Sequence, residues 1–317
     1  MNTLSPIFSQ VFGQNQLTLG LIAPFMGYQN HIPDNLTTIA DNARLAENLG
    51  FSALWVRDVP FYDPHFGDVG QGLDPMVTLS FLSAHTQNIA LGTAGLIAPL
   101  RSPIHIAKMA TSVDSLSHGR FLLGLSSGDR PVEYPAFGAD FASRSERFRE
   151  SIDLINTLTE QDFPHFKGKH YADLTDNLDL LPKPKHRLPI VAIGRARQEM
   201  DWLANVPDAW IWHGVNPADT ANIINTLADL RQKDTPTAFG YAQFVEVLDD
   251  KNAKAQLFNN IYLRGGAKGL ADFWAKEQEK GVKHLALNLK PTQRPADEVL
   301  TELAEYALTQ FCVEDQT

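Results

Sequence analysis

The sequence predicts an α/β protein of the (β/α)8 TIM-barrel class, folded as a single domain with inserted loops. Short apolar runs alternate eight times with longer segments of helical periodicity. Polar and glycine-rich residues follow these runs, whereas the turns before them are short, so chemistry is expected at the carboxyl ends of parallel strands. The 317 residues moderately exceed the ~250 of a typical barrel, and no Pro/Ser-rich linker divides them.

The clearest repeat lies in residues 89–129. Ile89–Thr93 is a branched apolar run, typical of a strand that is covered on both faces. Pro103 then opens a helix, where its missing N–H costs little, and Phe121–Leu125 forms the next strand. The predicted strands, in order, are Leu17–Ala23, Phe51–Val56, Ile89–Thr93, Phe121–Leu125, Pro189–Ile193, Asp208–Trp212, Phe239–Val247 and Lys283–Leu289. The predicted helices are 35–50, 74–85, 103–116, 144–160, one entered from 194–197, 217–230, 267–280 and 296–311.

Two segments fall outside these repeats, although one domain is expected over 1–317. Residues 1–16 carry apolar side chains without a clear period and are interpreted as an extended N-terminal arm that packs on the barrel or on a neighbouring chain. Residues 161–188 are too irregular and proline-rich for a barrel helix. They are interpreted as an inserted excursion with a small hairpin around Lys167–Leu174.

Composition narrows the functional classes. The net charge of −10 and the scattered basic residues argue against nucleic-acid binding, which needs a basic surface to neutralise phosphates. No apolar run approaches the ~18 residues of a membrane span, and the N-terminal residues lack the pattern of a signal peptide. The single Cys312 excludes an internal disulfide and a multi-cysteine metal site. We therefore expect a soluble, cytoplasmic protein.

Two strand ends carry candidate ligand-binding residues. After strand five, backbone N–H groups and two arginines could bind a phosphate, although an ordinary turn with solvated arginines explains the same residues: Gly194, Arg195, Ala196 and Arg197. After strand four, small and polar residues would let a flat ring or a phosphate approach the backbone, although a tight turn explains them equally well: Ser126, Ser127, Gly128 and Asp129.

Other polar residues near strand ends remain open between structural and functional roles. His213 follows strand six and is a candidate proton donor or acceptor, or a structural hydrogen-bonding group. Asp58, His65 and Asp68 could bind a divalent metal, but ion pairing or substrate contact fits loop residues better, and no metal is expected. Further polar candidates for the barrel mouth, which no spacing ranks, are Gln243, Glu246, Arg264 and Asn288.

Several motifs resemble the bacterial-luciferase-like flavin monooxygenase family, in particular its branch of luciferase-type oxidoreductases. The segments that carry the resemblance are WVRDVPFYDPHFGDVGQ (55–71), the stretch 89–138 and GVKHLALNLKP (281–291). Within 89–138, the pieces HGRFLLGLSSGD and EYPAFG are specific to the family. The resemblance extends over residues 17–311, nearly the whole chain.

The resemblance implies an FMN site with defined contacts. In this site, Gly194–Arg197 would hold the flavin phosphate. Glu133 and Tyr134 would lie in a flavin-contacting segment, and Asp58 would also contact the cofactor. Thr93 and Ala94 would lie beneath the flavin ring, where relatives often carry a cis peptide that does not involve proline. Relatives often have Thr-Tyr where this chain has Trp212-His213, and Ser126 or Ser127 lies where luciferases have a reactive thiol.

The resemblance also implies a reaction and its partners. Reduced FMN and dioxygen would act on a small organic substrate in a two-component monooxygenase. A separate flavin reductase would supply the reduced FMN, because the chain has no nicotinamide-binding G-x-G-x-x-G unit. A homodimer is the usual assembly. The alternatives are a deazaflavin-dependent hydride-transfer reductase, a flavin-binding protein without turnover, and a carboxylate hydrolase that uses Asp58, Asp129 and Glu246.

Overall fold

The computed structural model describes residues 3–13, 16–28, 36–65, 72–171 and 173–311. Asp68 and Cys312 therefore lie outside the described residues. Within these ranges, the parallel barrel strands are β1 (Thr18–Ile22), β2 (Ala53–Val56), β3 (Ala90–Thr93), β4 (Phe121–Ser126), β5 (Ile190–Ile193), β6 (Ala209–His213), β7 (Ala238–Val247) and β8 (His284–Asn288).

The eight strands close on themselves in chain order. β8 pairs with β1 (Thr18 beside His284), and β7 pairs with β6 on one side and with β8 on the other. The predicted single-domain TIM barrel is confirmed, and each predicted strand end lies within two residues of the observed one. The agreement follows from burial, since the apolar runs are covered on the inside by each other and on the outside by helices.

The helices pack around the outside of the barrel, except the first. They are α1 (Pro6–Phe12), α2 (Leu36–Leu49), α3 (Pro75–Ser83), α4 (Pro103–Leu116), α5 (Arg144–Glu160), α6 (Met200–Asn205), α7 (Thr220–Leu230), α8 (Ala267–Glu279) and α9 (Ala296–Leu303). The predicted last helix continues from α9 through a π-helical turn, Ala304–Leu308. Among the described residues no helix has the length and apolar character that a membrane span requires.

The N-terminal arm contains a helix, where the sequence analysis expects an extended chain. Ile7 lies one helical turn before Val11, and Phe8 lies one turn before Phe12. The helix α1 therefore buries all four apolar side chains on one face. They pack in one cluster with residues that point into the barrel, among them Trp55. The helix therefore closes the amino-terminal end of the barrel.

The excursion at 161–188 holds one short antiparallel pair, Phe166–Lys167 with Asp173–Leu174. The carboxylate of Glu150 on α5 accepts hydrogen bonds from the backbone N–H groups of His170 and Tyr171. The segment is thus fastened to the outer helix layer, away from the barrel interior.

A second insertion follows β7 and was not anticipated. Gln256–Phe258 and Tyr262–Gly265 form an antiparallel pair, and the latter strand pairs in parallel with the end of β7. Two residues with positive φ, Asn259 and Asn260, make the turn between them. β7 is ten residues long, so it extends past its pairing with β8 and supports the extra strands.

Trp55 and His284, both fully buried, fill the interior of the barrel at its amino-terminal end. A Cβ added at Gly92 would lie 2.3 Å from the Trp55 ring, so glycine is required there. Trp55 Nε1 donates to His284 Nε2 at 2.8 Å, which leaves His284 Nδ1 to donate to Thr18 Oγ1 at 2.7 Å. Thr18 Oγ1 in turn donates to the Val11 carbonyl of α1 at 2.6 Å. This chain of hydrogen bonds fixes the neutral imidazole.

Burial lowers the pKa of His284 to about 3, from an ordinary value of 6.5. The unfolded chain therefore binds one more proton than the folded protein between these pH values, and stability falls as pH falls through that window. We expect His284→Gln, which cannot titrate, to lower the slope of unfolding free energy against pH by up to about 1.4 kcal/mol per pH unit. Urea denaturation at several pH values between 4 and 6 measures this slope.

The matched control is His165→Gln, which alters a histidine whose side chain is 65% exposed. Curves for His284→Gln and the parent that run parallel between pH 6 and 4 would contradict the interpretation of His284 as a buried neutral group.

Candidate functional site

A large cavity opens at the carboxyl ends of the barrel strands, above the layer that contains Trp55. Its volume is about 1060 Å³, slightly above the roughly 300–1,000 Å³ of common ligand pockets. Its floor is made of small or aliphatic residues that point into the barrel: Ile22, Ala94, Gly95, Ile193, Ile211, Ala242 and Ala286. Because none of these side chains is as large as the Trp55 ring, the carboxyl-terminal end of the barrel stays open where the amino-terminal end is filled.

The sequence-predicted residues converge on this cavity with three exceptions. Those that line it are Asp58, Ala94, Ser126, Ser127, Gly128, Asp129, Glu133, Gly194, Arg195, Ala196 and His213. Thr93, Tyr134 and Arg197 are absent from its lining. Of the unranked candidates, Gln243 and Asn288 line the cavity, whereas Glu246 and Arg264 lie in the neighbouring wall.

Asp58 is held in an ion pair at the end of β2. Its carboxylate accepts two hydrogen bonds from Arg101, at 2.8 and 3.1 Å, and one from the backbone N–H of Ile97 at 2.9 Å. Burial alone would lower the pKa of Arg101, but the Asp58 carboxylate reverses this and raises it above its ordinary value. Asp58 therefore fixes the loop after β3, and this contact, which the sequence analysis missed, limits what its carboxylate can offer a ligand.

The end of β3 carries a backbone feature of the floor. The Ala94–Gly95 peptide bond is cis. The side chain of the preceding residue, Thr93, points to the outer face of the strand, because side chains alternate between faces. Its hydroxyl donates to the Gly124 carbonyl on β4 and accepts from the Gly124 N–H. The Thr93 side chain therefore joins two strands and lies outside the cavity lining, while its predicted place beneath a cofactor ring stays a prediction.

The loop after β4 contributes an acidic group to the wall. Glu133 is 3% exposed, and its Oε1 lies 3.5 Å from Arg130 Nη1 without a hydrogen-bond partner among the described residues. Burial raises the pKa of the Glu133 carboxyl; Arg130 opposes this, and the charges of Asp129 and Asp58 add to it. Tyr134, also predicted to contact the cofactor, instead lies behind the loop, where its hydroxyl donates to the Ser127 carbonyl.

Residues 194–197 after β5 form a turn that is separate from the following helix. Gly194, Ala196 and Arg197 all have positive φ, and α6 starts only at Met200. Helical N–H groups are therefore not available at this turn, contrary to the sequence-based expectation. The buried Gln198 stabilises the turn by donating to the Ala196 carbonyl at 3.0 Å.

The two arginines of this turn diverge. Arg195 lines the cavity, with its guanidinium 5.7 Å from the ring centre of Trp212. Arg197 is exposed and lies outside the lining, where its carbonyl accepts a hydrogen bond from Ser145 on α5. Of these two arginines, Arg195 is therefore the one that offers its charge directly to a molecule in the cavity.

On the other side of the cavity, His213 ends β6. Its Nδ1 donates to the Ala242 carbonyl of β7 at 3.2 Å, and its ring meets Phe244 edge-on at a centroid distance of 5.7 Å. Phe244 and Tyr262, which the sequence analysis did not single out, line this side. The paired asparagines 259–260 between two short apolar runs were the available signal for a hairpin there.

Within the part of the chain that the structure describes, no group of three or more His, Cys, Asp or Glu residues is arranged to hold a metal ion. Asp58 is engaged by Arg101, and His65 lies 3.3 Å from Asp63 at the surface.

Comparisons with known proteins identify relatives with two kinds of activity, an F420-dependent dehydrogenase and a monooxygenase. The F420-dependent hydroxymycolic acid dehydrogenase of Mycobacterium tuberculosis is 28% identical over 222 residues, which is 68% of this chain and 60% of that protein. The 4-hydroxyprotoasukamycin monooxygenase of Streptomyces nodosus subsp. asukaensis is 30% identical over 149 residues, or 47% of this chain and 39% of that protein.

Solved structures share the fold. An F420-dependent secondary alcohol dehydrogenase, solved in complex with an F420-acetone adduct, superposes with a TM-score of 0.75 at 16% identity, covering 92% of this chain and 98% of that one. The sequence profile of the luciferase-like monooxygenases matches residues 16–313. With the barrel, the cavity at its carboxyl end and this match over nearly the whole chain, the protein belongs to the luciferase-like monooxygenase family.

Proposed function

We propose that this protein is an FMN-dependent oxidoreductase, a monooxygenase that uses reduced FMN and dioxygen to oxidise a small organic substrate. The observation that carries the proposal is the arrangement of the cavity, in which a floor of small and aliphatic residues meets the guanidinium group of Arg195 at the end of β5. The monooxygenase among the relatives supports the same chemistry.

The residues present fit a flavin. Ala94, Gly95, Ala242 and Ala286 leave a shallow floor on which a planar ring system can lie, and the cavity has room for a cofactor and a second molecule. The protein carries a net charge of −10, so long-range attraction does not hold an anionic phosphate and a local cation is needed. The cationic residues of the lining are Arg57, Arg130, Arg195 and Lys290. Of these, Arg195 lies at the strand end for which the sequence predicts the phosphate contact, and it is proposed as that cation.

When bound, reduced FMN would supply the electrons for activating dioxygen. The protein's own residues would bind and orient the cofactor and the substrate and exclude water from the reacting atoms. His213, which is fixed by its hydrogen bond to Ala242, would hold or move a proton in the cavity. Glu133 would present a buried carboxyl group to the cofactor or to the substrate.

Three further features belong to the proposal. A separate flavin reductase would supply reduced FMN, the protein would act as a homodimer, and it would work in the cytoplasm. The reductase is drawn from the resemblance to two-component flavin monooxygenases and from the absence of a G-x-G-x-x-G unit from the sequence. The homodimer is drawn from the resemblance alone, and the location is the expectation from the composition.

A second candidate is hydride transfer with a deazaflavin. The F420-dependent dehydrogenases among the relatives favour it, and the same cavity would accept the tricyclic ring. A carboxylate hydrolase is disfavoured, because Asp58 and Glu246 are each paired with an arginine: Arg101 and Arg264. A flavin-binding protein without turnover would keep the phosphate contact and show no oxygen-dependent reaction.

FMN is expected to bind more tightly than riboflavin, because only FMN carries the phosphate that Arg195 would contact. Fluorescence titration of the purified protein with FMN, riboflavin and F420 gives the three dissociation constants. Equal affinity for FMN and riboflavin would contradict the phosphate site, and binding of F420 in preference to FMN would favour the second candidate.

Arg195→Ala should weaken FMN binding by roughly ten- to a hundredfold and leave riboflavin binding nearly unchanged, since one charge-assisted contact is removed. Arg197→Ala is the matched control, because the same change two residues away falls outside the cavity lining. A larger loss in Arg197→Ala than in Arg195→Ala would place the phosphate outside the cavity.

His213→Asn should slow the oxidation of bound reduced FMN by dioxygen and alter its pH profile, while FMN affinity stays nearly constant. Stopped-flow mixing of the reduced complex with oxygenated buffer measures the rate without knowledge of the substrate. A variant with the parent's rate and pH profile would assign His213 a structural role.

A further inference from the structure

Two sides of the cavity differ chemically, and the segment that follows β8 completes the lining with residues such as Lys290 and Gln293. The ends of β2 to β5 present small, polar and charged groups, such as Ser126 and Arg195. The ends of β6 and β7 and the inserted strand after them present the rings of His213, Phe244 and Tyr262. Phosphate and polar cofactor groups fit the first side. The second side offers mostly ring surface, so it fits a different molecule.

Phe244 and Tyr262 form one continuous surface. They are directly paired in the parallel register of β7 and the inserted strand, so both side chains project from the same face of adjacent strands. The next pair on that face, two residues further along, is Glu246 and Arg264. The wall therefore changes from aromatic beside the barrel to an ion pair further out, where Arg264 is 48% exposed.

The Tyr262 ring of this wall is held by polar groups on the same face. The Tyr262 hydroxyl donates to the Glu246 carboxylate, which also lies 3.0 Å from Arg264 Nε. Burial and the Glu246 charge raise the pKa of Tyr262 to about 12, which keeps the phenol protonated as a donor. Since Glu246 and Arg264 neutralise each other, the outer part of the wall carries no net charge.

Trp212 marks the boundary between the two sides. Its ring stacks on Trp210 at a centroid distance of 5.1 Å and an interplanar angle of 18°. The guanidinium group of Arg195 lies over the same residue. Trp212 therefore already contacts two groups, and the ring surface assigned to a ligand lies beyond it, on Phe244 and Tyr262.

We propose that Phe244 and Tyr262 form the surface against which a flat, uncharged aromatic substrate lies, and that Glu246 is the positioning residue that holds the Tyr262 ring. The inference rests on the proposed function, since it assigns the substrate class of that same cavity. Aromatic rings prefer offset-stacked or edge-to-face contacts with other rings, and such contacts add to the gain from buried area. A saturated molecule of the same skeleton obtains the area without the ring contacts.

The test uses 2-naphthol and decahydro-2-naphthol, which have the same carbon skeleton and hydroxyl group but differ in aromaticity. Calorimetric titration is done on the full-length protein with and without FMN. We expect 2-naphthol to bind more tightly than its saturated counterpart by roughly three- to tenfold. Phe244→Ala and Tyr262→Ala should each weaken 2-naphthol binding by about tenfold and leave the dissociation constant of FMN unchanged.

Phe61→Ala is the matched control, since Phe61 is a 47% exposed phenylalanine outside the cavity lining. For the positioning role, Glu246→Ala should weaken 2-naphthol binding, and Glu246→Gln should restore it because the amide oxygen still accepts from the Tyr262 hydroxyl. The melting temperatures of Glu246→Ala and Glu246→Gln should be equal. If Glu246 only stabilised the fold, 2-naphthol affinity would follow the melting temperature and would not differ between these two variants.

Three results would overturn the inference: no binding of 2-naphthol to the parent, equal affinity for both probes, or a loss of FMN affinity in Phe244→Ala and Tyr262→Ala, which would show that the rings hold the cofactor. Failure of the proposed function has another signature. In that case the parent does not bind FMN, but 2-naphthol still binds and still depends on Phe244 and Tyr262.

Discussion

The interior of a closed barrel must be filled, and this chain fills only half of it. Trp55, His284 and the apolar face of α1 occupy the amino-terminal half, joined by hydrogen bonds from the Trp55 indole through His284 and Thr18 to Val11. In the other half the inward positions are small or aliphatic, such as Ala94 and Ala286, so a cavity of about 1060 Å³ remains. The candidate functional site is the unfilled part of the core.

Much of the fold follows from local sequence. Runs such as Phe121–Leu125 are apolar at every position because both faces are covered, and this identifies strands of a parallel barrel. The helix α1 and the strand Tyr262–Gly265 were missed for a different reason. Each gains its stability by packing on a distant part of the chain, the barrel interior for one and the protruding end of β7 for the other, so neither has a strong local signal.

The candidate site was predictable in position and less so in detail. Since parallel strands all end at one rim, polar residues after several strands had to meet there. Which of them face the cavity depends on strand alternation and loop geometry. Thr93 alternates to the outer face, and Arg197 is turned away by the left-handed conformations that precede it. The ion pair of Asp58 with Arg101 joins two loops 43 residues apart, and no spacing rule connects them.

The inserted strands after β7 have a consequence for how this family can diversify. The ladder between β7 and β8 ends at Phe244, and the inserted strand pairs with β7 only from that residue onward. The hairpin is therefore attached outside the closed ring of hydrogen bonds, and the ring does not need it for closure. Substitutions, insertions or deletions in this hairpin can therefore change the cavity wall while the eight strands keep their register. The shape of the cavity and the stability of the barrel can vary independently of each other.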